Sequence, residues 1–346
     1  MRLSITHTSH YDYAPPVDVA QHIACLQPPQ TVVQQLLSHT LTFSPEPSHR
    51  HEAVDVFGNR RSFVSLQIPH DRLEVTASSV VETRRLTLMS RVAIPWERAA
   101  EHFRYRADGI YDADGEFRFA SPHVPRHPEF ALYAQPSFAP GVDLHAATLD
   151  LMQRIHAQFR YDNQSTEVHT PALEAMRQRH GVCQDFAHIM IACLRALGLS
   201  ARYVSGYLLT QPPPGQPRLI GADASHAWIS VLLPTQTGPT RWCDFDPTND
   251  RWGWGAPGDD YVVLATGRDY ADVSPIRGVI HGGATHDLTV AVTVAPSGER
   301  DGVSAALAAG VPATVAPSQS QAPSQSPTQS QSQTQTQAQS PPRPTP

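Results

Sequence analysis

The sequence contains no lysine, so all 26 of its basic residues are arginine. It also has no uninterrupted apolar run of about 20 residues, which is the length that spans a bilayer. The opening segment MRLSITHTSHYDY lacks the basic stretch followed by an apolar one that marks a secretory signal. The formal net charge of -6 leaves no basic footprint for nucleic acid. We therefore expect a cytoplasmic protein that binds neither nucleic acid nor membranes.

Cysteine is scarce as well, and the four cysteines are Cys25, Cys183, Cys193 and Cys243. None of their spacings forms the CxxC pair that is typical of zinc sites. Disulfides are not expected in a reducing compartment, and no acidic loop has the spacing of an EF-hand. We therefore expect no metal and no cofactor, and each cysteine needs another explanation.

Short alternating segments, which are typical of strands, fill the first part of the chain. Apolar and polar residues alternate at 63–68 and 73–77, and the segment Ala14-Pro15-Pro16 predicts a turn. This pattern predicts an antiparallel β-sandwich-like domain over residues 1–85. A connecting region rich in proline, arginine and aromatic residues follows at 86–140, and it shows no clear periodicity.

A second domain is predicted at residues 141–290. Helical periodicity begins near its start, and a stronger amphipathic helix is predicted at 183–197, where Gly198 provides a stop signal. Three strands are predicted after this helix, at 201–209, 226–233 and 240–245. Helices followed by strands favour an α+β fold over a parallel βαβ array.

The last segment, residues 300–346, consists mostly of alanine, proline, serine, glutamine and threonine. Such a composition cannot bury enough apolar surface to offset the entropy of ordering, so we expect a disordered tail. The tail is rich in glutamine and has almost no charged or large apolar residues. We therefore interpret the tail as a solubilising segment.

A few residues in the second domain suit nucleophilic catalysis. Cys183 lies at a predicted helix start, where unpaired N–H groups and the helix dipole favour a thiolate. His226 opens a predicted strand and is a candidate base that takes the thiol proton and returns it to the leaving group. An acidic residue on the next strand, Asp244 or Asp246, would hold the histidine in its working tautomer. These two aspartates share one face of a strand, so spacing alone does not decide between them.

Several neighbouring residues have simpler interpretations. Cys193 lies on the apolar face of the predicted helix and is expected in the core, and His188 points away from the direction of Cys183. Asp185 is expected to support the helix N-terminus as a first-turn acid. The backbone N–H of Cys183 is a candidate donor to an oxyanion. Packing roles are also expected for Trp228, Trp242, Trp252 and Trp254.

With these residues in view, the sequence resembles the transglutaminase-like superfamily, and in particular its bacterial two-domain members. The resemblance is carried by Gly181-Val182-Cys183-Gln184-Asp185, by His226-Ala227-Trp228 and by Asp246-Pro247-Thr248-Asn249. An upstream segment, Asp55-Val56-Phe57-Gly58-Asn59, is similar to the β-rich domain that precedes the core in this family. Three ordered segments at sensible spacing are a stronger signal than any one of them.

The resemblance implies a papain-like core in which Cys183, His226 and Asp246 are the catalytic residues. It therefore favours Asp246 over Asp244 as the residue that orients the histidine. It also makes Tyr161 a candidate second donor to the oxyanion. The implied reaction is acyl transfer through a thioester, on a peptide or protein substrate and without a cofactor.

The acceptor of the acyl group is not decided by these residues. Water would make the chain a protease, peptidase or amidase, and an amine would make it a protein-glutamine transamidase. We expect hydrolysis, because the sequence marks no second site for an amine. A catalytically silent peptide-binding scaffold is disfavoured by the complete residue set, and an arylamine-acetyltransferase-like enzyme by the β-rich domain. The oligomeric state is left open.

Overall fold

The structure is a computed structural model of the full chain. It describes residues 1–86, 93–104, 113–162, 170–210, 225–234, 240–282 and 285–297. The tail expected to be disordered, at 300–346, lies outside the described residues.

An antiparallel sheet occupies the N-terminal part of the chain. Five of its strands are β1 (Arg2–Ala24), β2 (Gln34–Ser44), β3 (His49–Val54), β4 (Arg60–Leu66) and β5 (His70–Thr83). Their order across the sheet is β2-β5-β1-β4-β3, so the first strand is central. The period-two pattern read from the sequence therefore corresponds to real strands with one face in the core.

The first strand is longer than the sequence suggests. Leu3 and Ile5, on its apolar face, are at most 2% exposed. The turn predicted at 14–16 is wrong, because β1 continues through these residues. The pairing with β5 instead changes register between Asp12 and Val17. Proline cannot donate to a strand ladder, and here it lies in the irregular stretch of β1 rather than in a turn.

An α+β core follows the first sheet. Its helices are α1 (Trp96–His102), α2 (Pro128–Ala134), α3 (Leu144–Gln158), α4 (Ala172–Gln178), α5 (Cys183–Ala196) and α6 (Tyr270–Val273), with a 3-10 helix at Ala113–Arg118. Its strands are β6 (Arg160–Tyr161), β7 (His180–Gly181), β8 (Ala201–Leu208), β9 (Ser225–Leu233), β10 (Arg241–Asp246), β11 (Arg251–Trp254) and β12 (Tyr261–Gly267). The predicted α+β class is confirmed. None of the described helices is long and apolar enough to cross a membrane.

The core strands form one main sheet, in the order β11-β10-β9-β8-β12, and all of its neighbours are antiparallel. The short strands β6 and β7 pair with each other in parallel. The three strands predicted from the sequence correspond to β8, β9 and β10. Their antiparallel order places the start of β9 beside the end of β10, which brings the candidate histidine and aspartates to one edge of the sheet.

Helix α5 is the centre of this core. Phe186, Ile189, Met190 and Cys193 are each at most 2% exposed, and they lie in the apolar cluster shared with β8, β9 and the other helices. A helix that is apolar on most sides is expected to be buried in this way. The helix stops near its predicted end, where Gly198 adopts a φ of 82° that other L residues avoid.

Two strands from the far end of the chain complete the first sheet, β13 (Ile276–Gly282) and β14 (Thr285–Pro296). Both pair antiparallel with β1 and bring that sheet to seven strands. The predicted core domain at 141–290 therefore ends in strands that belong to the N-terminal sheet. The pattern of a strand shows which of its faces is apolar, but its partner is chosen by tertiary packing.

The two sheets pack against each other. Tyr207 of β8 and Val262 and Leu264 of β12 belong to the apolar cluster of the N-terminal sheet. Across this contact, Nδ1 of His7 lies 2.9 Å from the Tyr207 hydroxyl. The core sheet thus supplies a second layer for the domain that the sequence describes as sandwich-like.

Side-chain amides from β2 and from the turn between β3 and β4 bind backbone groups on the edge of β12. The Gln34 amide accepts from the N–H of Val263 at 2.8 Å and donates to its carbonyl at 2.9 Å. Asn59 makes the same pair of bonds with Thr266, at 2.9 and 2.8 Å. Each amide acts like the peptide group of one more strand, so the two parts of the molecule are held in a single register.

The connecting region is anchored by one arginine of α5. Arg195 is 4% exposed. Its guanidinium donates to the carbonyls of Phe117 and Phe119, at 2.8 and 3.0 Å, and to those of Ala201 and Arg268, at 2.9 and 2.7 Å. A buried charge is tolerated only when its donors are satisfied, and these four carbonyls satisfy this one.

Candidate active site

Cys183 is the first residue of α5 and is 8% exposed. The turn before it is held by Asp185, whose Oδ2 accepts the backbone N–H of Val182 at 2.8 Å. A Cβ atom at Gly181 would lie 2.5 Å from that same oxygen, so only glycine leaves room for this cap. Asp185 supports the helix start as the sequence predicts. Glycine and aspartate together place the cysteine at the positive end of the helix dipole.

His226 is the second residue of β9 and lies beside Asp246 at the end of β10. Its Nε2–H donates to Oδ2 of the aspartate at 2.7 Å. The histidine side chain is 10% exposed, and the aspartate side chain is completely buried. Because Nε2 is bonded to the carboxylate, Nδ1 is the nitrogen left to interact with Cys183, which is near enough to His226 to raise its pKa. The structure therefore brings together the three residues that the sequence singles out.

Asp246 is held by a full set of donors. Besides the histidine bond, its Oδ2 accepts from the Tyr261 hydroxyl at 2.8 Å and from the Asn249 side-chain amide at 2.7 Å. Its Oδ1 accepts the backbone N–H groups of Thr248 and Asn249, at 2.9 and 3.3 Å. A buried carboxylate with this many donors stays ionised and keeps one orientation.

The charges around His226 favour an imidazolium. Burial lowers the pKa of His226, but the charge of Asp246 and the hydrogen bonds with Asp246 and Cys183 outweigh it and raise the pKa to about 10. Burial likewise raises the pKa of Asp246, but the His226 charge and the hydrogen bonds from His226, Asn249 and Tyr261 hold it below its usual value. At neutral pH the pair is therefore an imidazolium next to a carboxylate.

The structure distinguishes the two candidate aspartates. Asp244 lies on the same strand face as Asp246, as the spacing predicts. However, its carboxylate accepts from the indole N–H of Trp228 at 2.9 Å and from the Ser230 hydroxyl at 2.5 Å. Asp244 therefore supports the packing of a buried tryptophan, and Asp246 is the aspartate bonded to His226.

Tyr161 lies close to the candidate nucleophile. Strands β6 and β7 place it opposite Gly181, two residues before Cys183. Burial, together with the charges of Cys183 and Asp185, raises the pKa of Tyr161 to about 12. Its hydroxyl is therefore protonated at neutral pH and can donate, which is what the candidate role of oxyanion donor requires.

The remaining cysteines and His188 are buried in the packed interior of the protein. Cys25, Cys193 and Cys243 are all buried, and none of the three is in a disulfide. Burial raises the pKa of Cys25 to about 11, and that of Cys193 is also raised by burial. His188 is buried and accepts the backbone N–H of Tyr270 at 3.2 Å. Over the ranges that the structure describes, no group of three or more His, Cys, Asp or Glu side chains is arranged to hold a metal ion.

Sequence reasoning gave no role to Tyr261 or Asn249, which both bind Asp246. Asn249 follows the aspartate by three residues in a turn that closes on the carboxylate, so the turn residues were a usable signal. Tyr261 is on β12, which is three places from β10 in the sheet order. No local pattern marks it, because only the fold brings its hydroxyl to the aspartate.

Two family models match the chain. The model described as the bacterial transglutaminase-like N-terminal region matches residues 3–82. The model of the transglutaminase-like superfamily matches residues 136–247, a range that contains Cys183, His226 and Asp246.

Whole-length relatives are also found. An uncharacterized protein of Mycobacterium tuberculosis is 38% identical over 301 residues, which cover 85% of this chain and 93% of that protein. One of Mycobacterium leprae is 31% identical over 297 residues, which cover 85% and 98%. A crystal structure from Cytophaga hutchinsonii, described as a "putative cysteine protease", has a TM-score of 0.65 at 22% identity and covers 85% of this chain and 90% of that one. At that identity the likeness shows a shared fold.

Proposed function

The chain belongs to the transglutaminase-like superfamily, and we propose that it is a cysteine hydrolase that acts on a peptide or carboxamide bond. The observation that supports this most directly is the 2.7 Å hydrogen bond from His226 to the buried Asp246, with Cys183 near enough to His226 to raise its pKa. The proposed nucleophile, its base and the group that orients the base are thus neighbours in the structure, in the order that this chemistry requires.

In the first step the sulfur of Cys183 attacks the carbonyl carbon of the substrate. An imidazolium next to the sulfur favours the thiolate, and the pKa of His226, raised to about 10, maintains that cation at neutral pH. When the C–N bond breaks, His226 gives its Nδ1 proton to the leaving nitrogen. Ammonia or an amine departs, and the acyl group remains on the sulfur as a thioester.

In the second step the thioester is transferred to water. The neutral His226 takes a proton from the water molecule while the water oxygen attacks the thioester carbonyl. The C–S bond breaks, the carboxylic acid product leaves, and Cys183 and His226 return to their starting charges. Asp246 stays ionised through both steps, since five hydrogen bonds from four residues stabilise its charge.

The tetrahedral intermediate of each step carries a negative oxygen. The backbone N–H of Cys183 lies at the start of α5, where helix geometry leaves it without an intrahelical acceptor. The Tyr161 hydroxyl is the second candidate donor. Donors that are already in place when charge develops on the oxygen lower the barrier without further rearrangement.

Mass spectrometry of a peptide library incubated with the purified chain tests the proposal. Hydrolysis predicts cleaved peptides or deamidated glutamines, which disappear with Cys183→Ala and persist with Cys193→Ala, a matched change on the same helix. Adducts with an added primary amine would assign a transamidase instead. If no product forms and iodoacetamide labels Cys183 no faster than Cys193, the chain is a peptide-binding scaffold and the proposal is wrong.

A further inference from the structure

A cavity of about 460 Å³ lies between the main core sheet and two loops of the N-terminal sheet. One wall is the sheet face that carries Ser230 and Asp244, and Val32 and Phe57 from the two loops contribute to the other. Cavities of roughly 300–1,000 Å³ are typical of sites for small molecules. The lining includes neither Cys183 nor His226, so this space is separate from the candidate active site.

Arg202 of β8 supplies a buried positive charge in the lining of this cavity. The guanidinium carbon lies 4.0 Å from the centre of the Trp242 ring, so the ring packs against the group and limits its movement. Its Nε is buried without a hydrogen-bond partner among the described residues. Burial lowers the pKa of Arg202 to about 10, against the opposing charges of Asp244 and Asp114, so it remains a cation at neutral pH. A buried guanidinium N–H without an acceptor is unfavourable, and an anion that contacts it relieves this cost.

Among the described residues, the Asp244 carboxylate does not accept a hydrogen bond from the Nε of Arg202, although its charge acts on the guanidinium. Both oxygens of Asp244 are already bonded, one to Trp228 and the other to Ser230. A second arginine, Arg241, lines the cavity and is exposed. The cavity lining therefore has two guanidinium groups and one carboxylate, and that carboxylate already accepts from Trp228 and Ser230.

We propose that this cavity binds a small carboxylate with an apolar body. The planar guanidinium of Arg202 presents parallel N–H donors, which match the two oxygens of a carboxylate. Val32, Phe57 and Trp254 line the same space and are suited to contact the apolar part of the ligand. Stacking on Trp242 holds the guanidinium in place before binding, so little side-chain entropy is lost.

The site is independent of the proposed hydrolysis. His226 and Ser230 are four residues apart on β9 (230 minus 226), which is about 13 Å at a rise of about 3.3 Å per residue. Trp228 is fully buried between them, with its ring centre 6.0 Å from that of His226. A ligand on Arg202 therefore does not occupy the place of an acyl substrate, and its binding is measured without any catalytic activity.

Calorimetric titration of the full chain with benzoate, and with benzamide as an uncharged ligand of the same shape, tests the proposal. Benzoate is expected to bind at least about tenfold more tightly than benzamide, and Arg202→Gln is expected to remove this preference. Arg154→Gln is the matched control. Arg154 also stacks on an aromatic ring, that of Tyr133 at 4.7 Å, but it does not line the cavity, so benzoate binding should be unchanged.

Val32→Trp is a second variant that leaves the guanidinium in place. Val32 is 62% exposed and lines the cavity, so a larger side chain there fills the space without disturbing the core. Benzoate affinity should again fall at least about tenfold. Equal affinity in the wild type, R202Q and V32W, or no benzoate binding at roughly 10 mM, overturns the proposal. A short peptide and its C-terminally amidated form, titrated in the same way, distinguish a peptide terminus from a free acid as the source of the carboxylate.

Discussion

Asp246 shows how surrounding side chains specialise a single residue. Its neighbour on the strand face, Asp244, has the same chemistry and similar burial, yet the two differ in their donors. Asp244 bonds to a tryptophan and a serine, whereas Asp246 bonds to His226 and is braced by Tyr261 and Asn249. Tyr261 and Asn249 are therefore positioning residues, because both donate to the carboxylate that orients the imidazole. The Asn249 amide nitrogen also lies 3.2 Å from Nε2 of His226.

Asp246→Asn should lower kcat at least about a hundredfold, because His226 loses the charged partner that orients it. The variant should also change the pH profile. The charge of Asp246 opposes the effect of burial and raises the pKa of His226 to about 10, so removing it lowers that pKa. Activity needs the imidazolium and falls as pH rises through this pKa. The alkaline limb of kcat/KM should therefore move to lower pH in the variant.

Asp244→Asn is the matched control for this change. Asp244 lies on the same strand face but bonds to Trp228 and Ser230, so its neutralisation leaves the charge next to His226 in place. The alkaline limb should stay where it is in the wild type. If the two variants gave the same pH profile, Asp246 would not be the residue that orients the histidine.

Helix α5 begins with an unusual N-terminal cap. The helix has no serine, threonine or asparagine at its N-cap position, which is occupied by Val182. The cap is supplied instead from inside the first turn by Asp185, and the residue before the N-cap is a glycine that allows the carboxylate to approach. This arrangement presents the cysteine at the helix terminus without a side-chain cap in front of it.

Asp185→Ala should destabilise the fold by about 1–2 kcal/mol, because the cap is lost and the buried N–H of Val182 is left without an acceptor. Urea denaturation measures the change. Glu174→Ala provides the comparison, since Glu174 is a first-turn acid of α4 that is exposed and bonds to the Gln178 side chain at 3.0 Å. Its effect should stay within about 0.5 kcal/mol. Equal losses in both variants would mean that Asp185 is not a cap.

The two sheets of the molecule are held together by contacts between residues that are far apart in the sequence. The central strand β1 pairs with β5 from the same end of the chain and with β13 and β14 from the other end. The core sheet then joins this sheet through apolar packing and through the amides of Gln34 and Asn59 on the edge of β12. We therefore expect the two sheets to unfold together rather than as separate domains.

Gln34→Ala tests this coupling. It should destabilise the protein by about 1–3 kcal/mol, because the N–H and carbonyl of Val263 lose their partners in a buried contact. Gln30→Ala is matched, since Gln30 makes the same pair of bonds with the backbone of Leu36 but is exposed to water. It should cost much less in urea denaturation. A loss as large as that of Gln34→Ala would argue against a special role for the interface amide.

The acid stability of the whole fold should depend on His22. Burial, with the charges of His70 and His286, lowers the pKa of His22 to about 4 from the ordinary value of 6.5. As pH falls, the unfolded chain therefore takes up the proton first. The stability that depends on a neutral His22 is complete above about pH 6.5 and is lost as pH falls towards about 4.

His22→Leu should remove this loss, so the Tm of the variant should fall less than that of the wild type between about pH 7 and about pH 5. Differential scanning calorimetry at several pH values measures the difference. His49→Leu, at an exposed histidine of the same sheet, should leave the pH dependence of the wild type unchanged. A wild-type slope that persists in His22→Leu would contradict the assignment.

Local patterns were sufficient for much of the core. The helix predicted at 183–197 and the strands predicted at 201–209 and 226–233 lie within a few residues of α5, β8 and β9. Their periodicity and stop signals are properties of neighbouring residues, which is why a single sequence reveals them. The motifs also singled out Cys183, His226 and Asp246, whose catalytic roles stay predictions until the variants are measured.

The sequence by itself thus determined which elements form, which of their faces are apolar and which residues carry reactive groups. Only the tertiary structure decided that residues 276–296 pair with β1, that Tyr261 reaches Asp246, and that Arg202 lines a cavity. The physical reason is that local propensity and periodicity act over a few residues. The partner of a strand edge or of a buried polar group is chosen by packing between segments that are distant along the chain.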